Sequence, residues 1–284
     1  LGRLEKYGAQ KGDVFRIQTI GTFGTQGTTL NAGTKVPITN LPIYQIVGTI
    51  QEYGNGITVN ERLLRLAPYE IEGQMVRQRL AEDYAKAFEV ASIAELNTAT
   101  TNLLNGGTYA GVTSHQIFGT YANGKLNLET LRRANRVVET ANISGFGNDG
   151  EVVGFFHPLQ IEDLLAETAA GGFQDVMKYQ QLGIQKISDF EIGRVGRVRI
   201  VPSNFLTGTL EQASTGTVQT ITGLIFGQNA ALWAWAMDPI FRFDSDYEKD
   251  FSRVQALAWL AEATPRILIH ENIIRLKTTV SANI

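Results

Sequence analysis

The chain is 284 residues long and 43% hydrophobic, with a formal net charge of −3 and no cysteine. That is enough for one large or two ordinary domains with a sizeable core. The charge balance lacks the concentrated basic patch of a dedicated nucleic-acid binder, and the absence of cysteine excludes disulfides, thiolate metal sites and a cysteine nucleophile.

No apolar run approaches the ~18–20 residues that span a membrane, and no signal-peptide pattern opens the sequence. Residues 1–12 are short, polar and capless, and read as an extended arm. Asp13 to Ile20 alternates apolar and polar, the pattern of a half-buried strand. Gly21 to Thr34 follows, with four Gly and five Thr among its fourteen residues, too poor in apolar groups to bury a core. It reads as a loop or hairpin tip. Pro37 and Pro42 keep the next stretch extended. Tyr44 to Ile50 and Ile57 to Val59 resume β character around an expected turn at Tyr53-Gly-Asn-Gly56.

Residues 13–60 thus form a long β excursion. A two-stranded ribbon is marginal alone in water and exposes unpaired backbone at its edges. Two arrangements relieve that: the ribbon folds back on its own domain, or it lies on a neighbouring subunit.

From Pro68 to Asn97 the spacing changes to three and four, with Val76, Leu80, Tyr84, Ala87, Phe88, Ala91 and Leu96 on one stripe. Arg77, Arg79, Glu82, Asp83, Lys86 and Glu89 fill the other faces. The helix so predicted is roughly 40 Å long at ~1.5 Å per residue, a spine that needs something long to lie against. Leu80, Tyr84 and Phe88 are expected in the core, and Arg79 and Lys86 lie off the stripe.

Thr108 to Asn123 is mixed turn and short strand. Asn127 caps a second helix with Leu128, Leu131, Ala134, Val137, Val138 and Ala141 on its buried face. A sharp loop, Gly145 to Gly150, leads into a strand from Glu151 to Phe156. His157-Pro158 opens a third helix, expected to end at Gly171-Gly172. Ile192 to Pro202 reads as a strand pair or a bulged strand around Gly196. Val218 to Met237 is apolar enough to require burial. Two long strands, Ile240 to Asp246 and Phe251 to Glu262, and two shorter ones, Arg266 to Ile269 and Ile273 to Thr278, close the chain. A few helices among antiparallel-type strands make the class α+β.

The motifs that suggest chemistry each fail on a named residue. Gly145-x-Gly147-x-x-Gly150 follows a helix and precedes a strand, the reverse of a dinucleotide fingerprint. Asp244-x-Asp246-x-Glu248 has Lys249 and Gln255 where a calcium loop needs Gly and Glu. His270-Glu271 has Ile274 where a zinc protease has its second His, and no Ser lies in a G-x-S-x-G elbow. Trp233, Trp235 and Trp259 sit at strand spacings in apolar runs and read as core.

Three stretches carry a family likeness: Tyr53-Gly54 leading into Ile57-Thr58 ahead of the spine, Phe156-His157-Pro158 opening a helix, and the closing run from Met237 to Lys277. With the order of elements, they resemble the tailed-bacteriophage major capsid proteins of Hong Kong 97-like fold, nearest in flavour to the N4-type phages. The resemblance implies an N-terminal arm (1–12), an extended β-hairpin E-loop (13–60) and a P-domain holding the spine helix (61–107) and closing strands (238–264). It further implies a mixed α/β A-domain (108–237) to which 265–284 return.

The implied function is a non-enzymatic shell subunit of the virion. It would assemble into hexamers and pentamers in the host bacterial cytoplasm and hold double-stranded DNA non-specifically. Portal, scaffolding and decoration proteins are the expected partners, with no cofactor, metal or membrane. The implied intersubunit contacts are Phe23, Thr25, Thr28, Leu30, Lys35, Arg79 and Lys86, and the implied core includes Leu80, Tyr84, Phe88, Trp233, Trp235 and Trp259. A first residue Leu1 is consistent with removal of a scaffolding segment. Some relatives cross-link an E-loop Lys to a P-domain Asn, but no Asn lies between Ile240 and Leu260, so no cross-link is carried over. The alternatives are an encapsulin-type nanocompartment shell and, from another class, a hydrolase whose site is assembled from distant segments.

Overall fold

The computed structural model describes residues 4–6, 14–20, 29, 33, 35–36, 38, 43–60, 62, 66, 74–105, 124–147, 149–167, 193–213, 216–244 and 253–280. They fall into two compact units. The first draws on Glu82–Leu232 and Ile269–Ile284, the second on Leu4–Ala81 and Trp233–Leu268. The chain passes from one unit to the other inside two continuous elements. These are helix α1 (Gln74–Leu96), between Ala81 and Glu82, and strand β11 (Ala231–Asp244), between Leu232 and Trp233.

The first unit is built on a mixed sheet. Strand β10 (Gly216–Phe226) pairs antiparallel along one edge with β13 (Ile273–Thr279), which in turn pairs parallel with β5 (Leu103–Asn105). The other edge of β10 is shared by β9 (Gly208–Ala213) and β6 (Val152–Phe156), and β6 pairs parallel with β8 (Val198–Pro202). Strand β7 (Gly193–Val195) closes the sheet as an antiparallel hairpin with β8, so the Gly196 region is a strand pair. Gly196 takes φ +59° at the turn, and a Cβ there would lie 2.6 Å from the Asn135 side chain.

Two helices bury their apolar faces in this unit. Helix α2 (Leu128–Thr140) starts where Asn127 accepts the Thr130 N–H at 2.8 Å, and ends where Asn142 adopts φ +50°. Its Leu128, Leu131, Ala134, Val137 and Val138 join Val152, Phe156, Val198, Ile200, Ile225, Ile274 and Leu276 in one core. Each buried Val, Leu, Ile or Phe among them contributes about 1.5–3 kcal/mol.

Helix α3 (Pro158–Leu165) is shorter than its sequence suggests. It stops well before Gly171-Gly172 because Glu167 turns away, its carboxylate accepting the Leu128 N–H at 2.9 Å. That bond satisfies one of the orphan donors at the start of α2. The Gly145–Gly150 loop is a tight reversal in which the Phe146 N–H meets the Glu151 carbonyl at 2.6 Å.

The second unit has a four-stranded sheet, β1 (Leu4–Lys6), β11, β12 (Val254–Ile267) and β4 (Gln51–Asn60) in that order, and a separate ribbon, β2 (Val14–Ile20) with β3 (Ile43–Thr49). Strand β1 (Leu4–Lys6) runs parallel to β11, from Leu4 opposite Trp233 to Lys6 opposite Trp235. The expected turn at Tyr53–Gly56 does not exist. Strand β4 (Gln51–Asn60) runs straight through it, paired with β12 (Val254–Ile267) from Gln51 opposite Ala263 to Asn60 opposite Val254. Its glycines serve close approach instead: a Cβ on Gly54 would lie 2.6 Å from the Leu260 side chain, and one on Gly56 2.9 Å from that of Ala258.

The closing strands also differ from expectation. The apolar run Val218–Met237 is split between β10 and β11, and β11 begins at Ala231 and carries its last part straight into the strand expected from Ile240; residues 245–252 lie outside the described set. Strand β12 absorbs Arg266 and Ile267, which the sequence suggested were a separate strand. Pro265 lies past Ala263, the last β12 residue paired with β4.

Candidate functional site

Among the described residues no group of three or more His, Cys, Asp or Glu could hold a metal ion. His115 lies outside the described residues. His270 sits in a short 3-10 turn, His270–Asn272. His157 caps α3: its Nδ1 accepts the Leu159 N–H at 3.2 Å, while Gln160 Oε1 accepts the His157 N–H at 2.9 Å. Burial pushes the His157 imidazole below its ordinary value. Gln160 is enclosed and donates onward to the Ile221 carbonyl and to Thr278 Oγ1 at 2.7 Å, tying the helix start to β10 and β13.

Polar clusters elsewhere are spent on structure. Buried Glu151 accepts from Arg194 and, at 3.2 Å, from Arg199. Arg197 donates to the carbonyls of Gly150 and Ile143. These guanidiniums stitch the β7–β8 hairpin to the loop before β6.

The feature without an internal explanation is the ribbon. Its register sets Phe15 opposite Gly48 and Ile17 opposite Ile46 on one face. Phe15 is only 2% exposed, and a Cβ on Gly48 would lie 2.4 Å from its ring. The other face carries Val14, Arg16, Val47 and Ile43, with Val14 53%, Val47 52% and Ile43 61% exposed. Between β2 and β3, Val36 and Ile38 are 65% and 94% exposed, next to an exposed Lys35. Phe241 and Phe243 stand in water at alternate positions of β11. So much accessible apolar area in one unit points to an interaction surface.

The other residues singled out from sequence divide as follows. Phe23, Thr25, Thr28 and Leu30 lie outside the described residues. Arg79 and Lys86 are exposed on α1. Leu80, Phe88, Trp233 and Trp259 are buried. Tyr84 and Trp235 are half-buried rather than enclosed, Tyr84 against Phe88 at 4.5 Å and Trp235 against Trp233 at 5.7 Å between ring centroids. Sequence reasoning gave no weight to Val14, Val47, Ile43 and Ile38. The signal was there in the alternation of β2 and β3, which places apolar residues on both faces.

No protein-family model matches the chain, and no curated protein does. Solved structures do. The capsid of Ralstonia phage GP4 matches with a TM-score of 0.74 at 13% identity, over 100% of this chain and 88% of that one. The chain has the tailed-phage capsid fold. The acid-stable capsid of Helicobacter pylori bacteriophage KHP30 gives 0.69 at 12% identity, covering 98% and 88%. That of cyanophage P-SCSP1u gives 0.66 at 16%, covering 99% and 87%. In this capsid fold the mixed sheets and few helices correspond to the α+β class read from the sequence.

Proposed function

We propose that the chain is the major shell protein of a phage head, assembling with copies of itself into hexamers and pentamers around double-stranded DNA. One observation carries the reading: the β2–β3 ribbon has its Phe15 face covered within the chain, while the other face leaves Val14, Ile43 and Val47 exposed among Arg16, Gln18, Gln45 and Thr49. A monomer has no use for the other face, whereas a shell covers it with a neighbour. The ribbon then takes the part of the E-loop (13–60) behind an arm (1–12). Residues 61–107 and 238–264 form the P-domain, 108–237 the A-domain, and 265–284 return to it. DNA would be held without a basic patch, by enclosure rather than by specific contact. Portal, scaffolding and decoration proteins would complete the particle, built in the host cytoplasm. The test is negative-stain imaging of the purified full chain over several salt conditions. Rings, shells or tubes are the expected result, and a monomer at every concentration overturns the reading.

A further inference from the structure

The sequence holds three Asn–Gly pairs, at 55–56, 105–106 and 123–124. The first lies inside strand β4, where both residues are exposed and Asn55 stands directly opposite Trp259 of β12. Strand β4 is at the edge of its sheet, and every second N–H along an edge strand points away from its partner. The Gly56 N–H donates to Asn55 Oδ1 at 2.9 Å. The backbone nitrogen that follows Asn55 therefore sits against the Asn55 carboxamide. Gly56 brings no Cβ to hinder the rotation that carries this nitrogen from the amide oxygen to the amide carbon.

We propose that Asn55 is a self-modification site, converted through a cyclic imide to aspartate and isoaspartate with water as the co-reactant. The Gly56 nitrogen gives up its proton to hydroxide and bonds to Asn55 Cγ. The Cγ–Nδ2 bond breaks, and ammonia leaves with a proton from solvent. Water then opens the ring at either carbonyl, and nothing is oxidised or reduced. Cleavage of the new N–Cγ bond gives aspartate in an unaltered backbone. Cleavage of the bond from nitrogen to the Asn55 carbonyl carbon leaves the chain running through Cγ, longer by one backbone atom. That isoaspartate puts residues 57–60 out of phase with residues 254–257, because the ladder alternates with a period of two. Either product also sets a carboxylate opposite the buried Trp259. The site stands independently of the shell reading.

The experiment ages the purified full chain at mildly alkaline pH beside a synthetic peptide of Gln51–Asn60, which sets the rate of the unfolded sequence. Peptide mapping by mass spectrometry separates this pair from the other two, and isoaspartyl methyltransferase labelling distinguishes isoaspartate from aspartate. The folded chain should convert Asn55 on the timescale of the peptide, faster as pH rises, with isoaspartate the larger product. An Asn55 that stays intact in the folded chain while the peptide converts would overturn the site. Two variants test the consequence. Asn55→Gln, whose longer side chain disfavours ring closure, should not age, and Asn55→Asp supplies the charge without the extra atom. Aged wild type should melt below Asn55→Asp and below its own fresh sample. An aged chain that melts with Asn55→Asp would overturn the loss of register.

Discussion

In the first unit Leu131, Val138, Phe156, Leu164 and Ile200 are sealed in one core between a mixed sheet and two capped helices. In the second, Val14, Val36, Ile38, Val47 and Phe243 remain in water although Trp259 and Leu257 of the same unit are buried. The two regions use the same kinds of side chain to different ends. The first spends its apolar area on its own stability. The second holds a large part in reserve, and area held in reserve is free energy available only on association.

The strongest way to break this contrast is through the first unit's core. Phe156→Ala should cost about 3–5 kcal/mol, a large share of the ~5–15 that a domain commands. Soluble subunit should fall sharply, as measured by denaturant melts and yield, before any change in particle form. A near-wild-type melt would mean that this core is not what holds the unit together.

Next in size is the start of α2. Asn127→Ala removes the acceptor for the Thr130 N–H and should cost about 1 kcal/mol, visible as a lower melting temperature. Glu167, just past the end of α3, caps the same helix and limits the loss.

A smaller effect depends on pH. The folded His157 is pushed below its ordinary value of 6.5, and its Nδ1 must stay unprotonated to accept the Leu159 N–H. The unfolded chain therefore takes up the proton first as pH falls. The stability contributed is full above about pH 6.5 and declines below it until the folded group also titrates. His157→Asn keeps an acceptor that does not titrate and should flatten that decline in melts taken from pH 7.5 to 5. An unchanged slope would place the titration elsewhere.

How much of this was legible in the sequence depends on how local the cause is. Asn127 and His157-Pro158 announce helix starts because a cap needs only the next three residues. Gly54-Asn55-Gly56 misleads for the opposite reason. Locally it reads as a turn, but its conformation is decided by Leu260 and Ala258, some two hundred residues away. The spine was only half legible. At about 100° per residue Leu96 lies about 160° around the helix from Leu80, so a single straight stripe cannot describe burial along its whole length. Ile93, off the expected stripe, is buried, while Val90 is exposed. Strands β5 and β9 passed unnoticed because Leu103–Asn105 and Gly208–Ala213 are short and gain their identity only from β13 and β10.

The smallest expected change in stability falls on the ribbon, and it carries the central claim. Ile43→Ser with Val47→Ser replaces exposed side chains on the uncovered face, so the subunit melt should move by no more than about 0.5 kcal/mol. Sedimentation velocity of wild type and this variant, side by side at the same salt and concentration, tests the claim most directly. The account predicts fast-sedimenting rings or shells for wild type and a folded, slow-sedimenting subunit for the variant. Equal assembly by both would show that the exposed ribbon face is not where copies meet.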